Sequence, residues 1–568
     1  MLLAVQHPLR DALHTAGRTS PPRGNGAARG EVPFNLKMRF VAALLVALLA
    51  AAANAERILL IPLDSRPATG QFAQMVGKMA GVSVVMPPYG YLGRFTDPGR
   101  SDAILSWLEQ QDLSNVSAVV CSADMVAYGG LIASRTGAVS ARKAIQRMQR
   151  LADAVRREPH VRLYVFSATM RLLPTLTRKT LPFAAMLGKY EEAKAKFLMS
   201  GDPATESYLH KLGPAVPHAA IEAYEAARRR DHAVQVQLLQ MQAAGRFDYL
   251  IIGQDDARPY GPHVPETIQL KRISASLNES DQVFFCEGVD QHACVLVSRA
   301  LLDEAQWKPR VRIVYSDADG QNLYASFESK PIKDSLQDQL LASGARVAGD
   351  TDEYDYSLYL NTPQRRRDRF KQFVQDMAED IDQGFPTAVA DIDLNKNGTA
   401  DPELFNSLWQ NRRMMKLISY AGWNTAGNTM GTAIPAANIY LLARRSRTVD
   451  PLTREIAQRE FLLHRLVNDY AYHMFTRPNA YQMIRDDRVG SPEEIYGKEF
   501  DRVNGFVQHD LGSRLNKYFT DQFLGRRFFA GTQQYQFSEI NNPRIWLPWP
   551  RPYEVRLEFH LIARQVTQ

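Results

Sequence analysis

The chain has 568 residues, 45% hydrophobic and 23% charged, with a formal net charge of +7. That length supports a large buried core, and Cys121, Cys286 and Cys294 are too few, and odd in number, for a fold built on disulfides. No Lys/Arg block interleaved with aromatics is present, because Arg365-Arg366-Arg367 reads as the solvated start of a helix, so nucleic-acid binding is not expected.

The first 55 residues read as material outside the fold. Met38-Arg39 leads into an apolar, small-residue stretch over 40–53, closed by the A-x-A site Ala53-Asn54-Ala55. Together these form a secretory signal peptide over 38–55, cut before Glu56. The run is short for a spanning helix, so no stable membrane anchor is expected, and the mature protein is placed in the periplasm or outside the cell. Residues 1–37, rich in Gly, Arg and Pro, then read as a spurious extension upstream of Met38. Removing residues 1–55 takes away six Lys/Arg and two Asp/Glu, which lowers the formal charge to about +3.

From residue 57 onward, short β-rich runs alternate with amphipathic helical stretches. Strands are expected at 57–63, 82–86, 117–121, 161–167, 248–253, 282–286, 387–391 and 416–420, with helices such as 141–157 and 402–414 between them. Such alternation builds parallel βαβ units, and eight of them would close a (β/α)8 barrel over 56–445. Residues 174–245 form a helical insertion, strongest over 219–243. Residues 309–363 hold further strands, at 311–315, 323–328, 345–348 and 356–360, around a helix at 332–343. Read as an inserted α/β subdomain, this block preserves the barrel; read as the start of a second sheet, it gives two doubly wound domains. The barrel is the favoured reading. Residues 446–568 are mainly helical and end in an alternating strand at 553–559.

In either architecture, ligands sit beyond the carboxyl ends of the strands. The runs end in Asp64 and Arg66, in Asp124 and Tyr128 with Arg135 further on, in Arg171, in Asp255-Asp256, in Glu287 and Asp290, in Asp391, and in Trp423, Asn424 and Asn428. Singly, each could be a helix cap, a turn former or a core residue. Jointly they offer acceptors for hydroxyls and aromatic faces, as a sugar requires. Asp255-Asp256 is the candidate catalytic pair, because adjacent carboxylates resist ionising together and so keep an acid beside a base. No G-x-S-x-G elbow, P-loop or H-E-x-x-H helix is present, and the histidines show no metal-ligand spacing. No cofactor is expected. The one metal motif to weigh is a calcium loop at Asp393, Asn395, Asn397, Gly398 and Asp401, which lacks its bidentate Glu where Leu404 stands; the competing reading is an Asn-Gly turn.

The segments PLDSRP (62–67), SADMVAYGGLIASR (122–135), GQDDARPYG (253–261) and YAGWNTAGNTMG (420–431) resemble a bacterial family designated domain of unknown function 4127. The resemblance spans most of the mature chain and implies that these segments work as a set. Asp-Asp after a strand, with Trp-Asn-x-x-x-Asn after the last one, also looks like exo-acting, substrate-assisted N-acetylhexosaminidases. That likeness implies that Asp255 orients an acetamido group and Asp256 is the acid, with Asp64, Asp124, Trp423 and Asn424 holding the sugar.

Three functions follow as expectations. The first is an exported glycoside hydrolase acting on N-acetylhexosamine-containing glycans. The second is a periplasmic binding protein whose two lobes clamp a carbohydrate or other polar ligand. The third is a divalent-metal hydrolase using Asp64, Asp255, Asp256 and Asp391.

Overall fold

The computed structural model describes residues 56–277, 281–349, 352–395, 397–486 and 493–566. The expected signal peptide and upstream extension lie outside the described residues.

The first six apolar runs become β1 (Arg57–Ile61), β2 (Ser83–Val85), β3 (Val116–Ser122), β4 (Arg162–Thr169), β5 (Tyr249–Gln254) and β6 (Val283–Glu287). They form one sheet in the order β2-β1-β3-β4-β5-β6, every neighbouring pair parallel. Helices cover both faces, so the central strands are continuously apolar rather than alternating; β5, Tyr-Leu-Ile-Ile-Gly-Gln, is buried along its whole length.

A second parallel sheet holds β7 (Arg310–Tyr315), β8 (Arg346–Val347), β9 (Tyr356–Asn361), β10 (Thr387–Asp391) and β11 (Ser419–Ala421), in the order β8-β7-β9-β10-β11. The expected (β/α)8 barrel is therefore corrected. The strands form two open sheets, and the two-domain α/β alternative fits. The reason is pairing: β9 bonds to both β7 and β10, so the strands of 309–363 belong to the same ladder as the strands after them. Both sheets begin with the same winding, second strand outermost, then first, third, fourth and fifth. No strand forms at 323–328. A 3₁₀ turn at Ala318–Asn322, one bridge between Tyr324 and Pro331, and a positive φ of 67° at Phe327 break that run.

One helix ties the halves together. Ala426–Arg445 packs on the helix His292–Glu304 of the first half and on β10 and β11 of the second. Its approach to β6 is so close that a Cβ on Gly427 would lie 2.6 Å from the Glu287 carbonyl oxygen. A single apolar core runs through both halves, from Leu60 and Val120 to Leu358, Ala390 and Ile434.

The C-terminal region supplies helices Pro451–Arg465, Arg477–Asp486 and Gly497–Gln522, with a π-helical segment Leu466–Thr476 continuing the first. It ends in an antiparallel sheet of β12 (Arg527–Ala530), β13 (Gln533–Trp546) and β14 (Arg556–Gln565), in that order. The link from β13 to β14 crosses to the carboxyl edge of the first sheet, where Trp549 Nε1 donates to Ser65 Oγ at 2.9 Å. Among the described residues no helix is long and apolar enough to cross a membrane.

Candidate functional site

The carboxyl edge of the first sheet carries a cavity of about 170 Å³. Below the size common for drug-sized ligands, it suits one small polar molecule. The loop after β1 contributes Arg66. The guanidinium of Arg66 donates to Asp64 at 2.7 Å and, through both terminal nitrogens, to Asp290 at 2.7 and 2.9 Å. Asp64 thus stands behind Arg66, with 2% of its surface exposed, and acts as its anchor. Burial raises the Asp290 carboxyl to about 6 against the opposing charge of Arg66, with Asp64 adding to the rise.

Asp255 and Asp256 follow β5 directly, and their environments differ. Asp255 pairs with Arg135, which also donates to Thr175 Oγ1 at 2.7 Å, and accepts from the Asp256 amide at 2.9 Å. Burial works against ionising Asp255, but Arg135 and Arg171 outweigh it and hold the carboxyl below its ordinary value. Asp256 takes one ion pair, from Arg171 at 3.1 Å, and its side chain, on the cavity wall, keeps 32% of its surface accessible. Burial and the adjacent charge of Asp255 push Asp256 upward, past the opposing pull of Arg171 and Arg135. One carboxylate is locked and ionised; its neighbour is accessible and prone to hold a proton.

The far wall comes from elsewhere in the chain. Asn424 and Asn428 line it; Asn424, at a positive φ of 60°, donates to Asn428 at 2.7 Å and accepts from the Tyr553 hydroxyl at 2.8 Å. Arg551 lies over the rings of Trp549, Tyr553 and Phe95 at 4.9, 5.0 and 5.4 Å. Glu493 completes the wall, accepting from Tyr481 at 3.2 Å with Arg551 at 3.7 Å.

Of the residues expected from sequence, Arg66, Arg171, Asp255, Asp256, Asp290, Asn424 and Asn428 line this cavity. The others lie elsewhere. Asp124 is buried, accepting from the Ala168 amide at 2.8 Å, and Tyr128 packs under Arg230. Glu287 accepts from Ser329 at 2.5 Å on another cavity's wall. Asp391 is sealed in the second sheet, taking bonds from Asn361 at 2.9 Å and the Asp401 amide at 2.8 Å. Trp423, expected as a sugar platform, sits edge-on to Phe72 with its indole N–H on Thr432 at 3.2 Å. Trp549 and Tyr553 line the cavity, but arginines lie over both rings, Arg66 and Arg551 at 5.0 and 4.9 Å from Trp549 and Arg551 and Arg477 at 5.0 and 5.1 Å from Tyr553. The signal for Trp549 and Tyr553 was the Trp-Leu-Pro-Trp-Pro-Arg-Pro-Tyr run at 546–553, but nothing local ties it to β1.

The calcium-like loop has another use. Asp393 and Asp401 both pair with Arg365, Asp401 also caps the helix Pro402–Gln410, and Asn395 accepts from the amides of Asn397 and Thr399 at 2.8 and 3.2 Å. Lys396 lies outside the described residues. The Gly398 carbonyl receives the Asn424 amide at 3.0 Å, and a Cβ on Gly398 (φ 67°) would lie 2.9 Å from the Asn424 backbone. This loop therefore sets the backbone of Asn424. Among the described residues no group of three or more His, Cys, Asp or Glu side chains is placed to hold a metal ion.

A sequence model for a protein family described as a protein of unknown function (DUF4127) matches residues 58–558. No curated protein and no solved structure matches the chain.

Proposed function

The chain belongs to the DUF4127 family, whose description names no activity, and from the chemistry of the cavity we propose that it is an exported glycoside hydrolase. The observation that carries this reading is the divergence of the adjacent carboxyls: Asp255 held ionised by Arg135, Asp256 accessible and pushed toward its protonated form. Asp256 is the general acid, donating its proton to the leaving glycosidic oxygen. Asp255 is too enclosed to orient a substrate; its charge adds to burial in raising the Asp256 carboxyl. Glu493, across the cavity, is the carboxylate to serve the incoming water. Asn424, Asn428 and Arg171 line the cavity and offer donors to the sugar's hydroxyls.

The test is the chain from Glu56 assayed on a panel of chromogenic aryl glycosides beside Asp256→Asn and Glu493→Gln. Turnover by the parent, with kcat lowered about 10²- to 10⁴-fold in Asp256→Asn, supports the assignment. Turnover that survives in Asp256→Asn sinks it.

A second reading, a periplasmic ligand-binding protein, draws support from two alike-wound sheets that both contribute to the cavity, and from arginines engaging Asp64, Asp255 and Asp290. Tight sugar binding with no turnover of any glycoside would favour it.

A further inference from the structure

Every nitrogen of the Arg171 guanidinium has a partner. Nη1 donates to Asp256 at 3.1 Å, while Nε and Nη2 donate to the carbonyls of Leu173 and Pro174 at 2.7 and 3.2 Å. The cation beside the acid is therefore placed by the turn it sits in. That turn belongs to no helix or strand, since β4 ends at Thr169 and the next helix starts at Ala184. A segment of this kind has little local structure of its own to hold it still.

It is held from outside. The helix His218–Ala243, in the helical insertion, carries Tyr224 and Arg228. The Tyr224 hydroxyl donates to the Leu172 carbonyl at 2.9 Å, and Arg228 Nη1 donates to the carbonyls of Met170 and Arg171 at 2.8 and 3.1 Å. Arg228 is fixed in turn by its other two nitrogens, which donate to Glu266 on the helix His263–Ser276 at 2.9 and 2.5 Å. Tyr224 and Arg228 are both buried, so no solvent replaces these partners. The Leu172 amide then donates to the Asp256 carbonyl at 3.2 Å, which makes clamp, turn and acid one hydrogen-bonded unit.

Resting on the glycosidase reading, we propose that Tyr224 and Arg228 are positioning residues for the acid: they fix the Met170–Leu172 backbone and, through it, the place of Arg171 on Asp256. Burial, and then the charge of Asp255, push the Asp256 carboxyl upward, while Arg171 and Arg135 pull it down. Arg66, Asp290, Glu493, Arg551 and Tyr553 complete the charged and titratable lining of the cavity. A loosened clamp lets Arg171 retreat, so Asp256 keeps its proton to higher pH. A brace with a folding role alone would lower the melting temperature and leave that proton where it was.

The protonation of Asp256 can be followed without substrate. Carbodiimide with an added amine amidates carboxyls in their protonated form, and fragment-resolved mass spectrometry of the chain from Glu56 gives the Asp256 rate against pH. Arg171→Met, which removes the cation, should raise the midpoint by about one pH unit. Tyr224→Phe and Arg228→Lys, which lose the hydroxyl and the forked donor, should each raise it by about half a unit, a roughly three-fold faster reaction above the midpoint. Neither should add to the shift in an Arg171→Met background. Where Arg228→Lys fails to fold by thermal melting, Tyr224→Phe, which deletes a single hydroxyl, decides the matter. An unmoved midpoint in folded Tyr224→Phe, or an undiminished shift in the Arg171→Met background, overturns the proposal. In turnover, the alkaline limb of the kcat/KM profile should move toward alkali in the same variants. Absence of turnover on every glycoside ends the glycosidase reading alone, because amidation still decides whether the clamp sets Asp256.

Discussion

Burial is the first cause that raises the Asp256 carboxyl, and the charge of Asp255 adds to it. With Asp255→Asn the like charge disappears, so the Asp256 proton is lost at lower pH, and the alkaline limb of the kcat/KM profile should move toward acid. An unmoved limb would show that Asp255 does not tune the acid. Asp124 has a different role, in stability. Burial raises it from 3.8 to about 7, with Asp231 and Asp255 adding to the rise against the Ala168 hydrogen bond. The folded chain thus keeps a proton that the unfolded chain releases. Its contribution is fully present below pH 4 and is lost as pH rises through about 7. Asp124→Asn should therefore stabilise the protein at pH 8, by at most about 4 kcal/mol, and do little at pH 4. Denaturant midpoints at the two pH values check the sign.

At the scale of elements, the π-helical segment Leu466–Thr476 matters most to the site. It opens beside a fully buried ion pair, Arg465–Asp469 at 3.0 Å, and Asp469 also accepts from the Gly422 amide at 3.1 Å, just after β11. Arg465 lies 3.6 Å from the centre of the Phe72 ring, which packs against Trp423, so the pair underpins the Trp423–Asn424 turn. Asp469→Ala strands a buried guanidinium and should cost about 3–5 kcal/mol. The double variant Arg465→Met, Asp469→Leu should cost much less, since it leaves no unpaired charge. Equal losses in urea unfolding would contradict this account.

Across the whole molecule, two parallel sheets share one core. The helix Ala426–Arg445 touches both halves, and buried side chains run without a break from β1 to β10. Halves joined this way unfold together rather than in sequence. The chain from Glu56 should show a single calorimetric transition, and two resolved transitions would mean that the halves are energetically separate. The same architecture explains the assembled site. Loops after β1, β4, β5 and β6 converge at one sheet edge, and residues after β11 and from the β13–β14 link close it from the other side.

Much of this was readable along the chain. Apolar run length and helical periodicity located β1 to β6 and β10, because buried parallel strands need continuous apolar residues. The Asp255-Asp256 pair stood out because both its charge repulsion and its place after a strand are local properties. Pairing partners are not local. Whether β9 joins β10 or closes a barrel with earlier strands depends on contacts that no run of residues records. Trp423 and Trp549 are the same residue type and both are buried, yet tertiary packing sets one edge-on to Phe72 and the other beneath Arg66 and Arg551 at the cavity wall. Sequence by itself determined which residues are apolar, which are charged and which end strands. Only the folded chain decided which carboxylates meet an arginine and which stay open to a ligand, because desolvation and Coulomb energies depend on distances set by residues hundreds of positions apart.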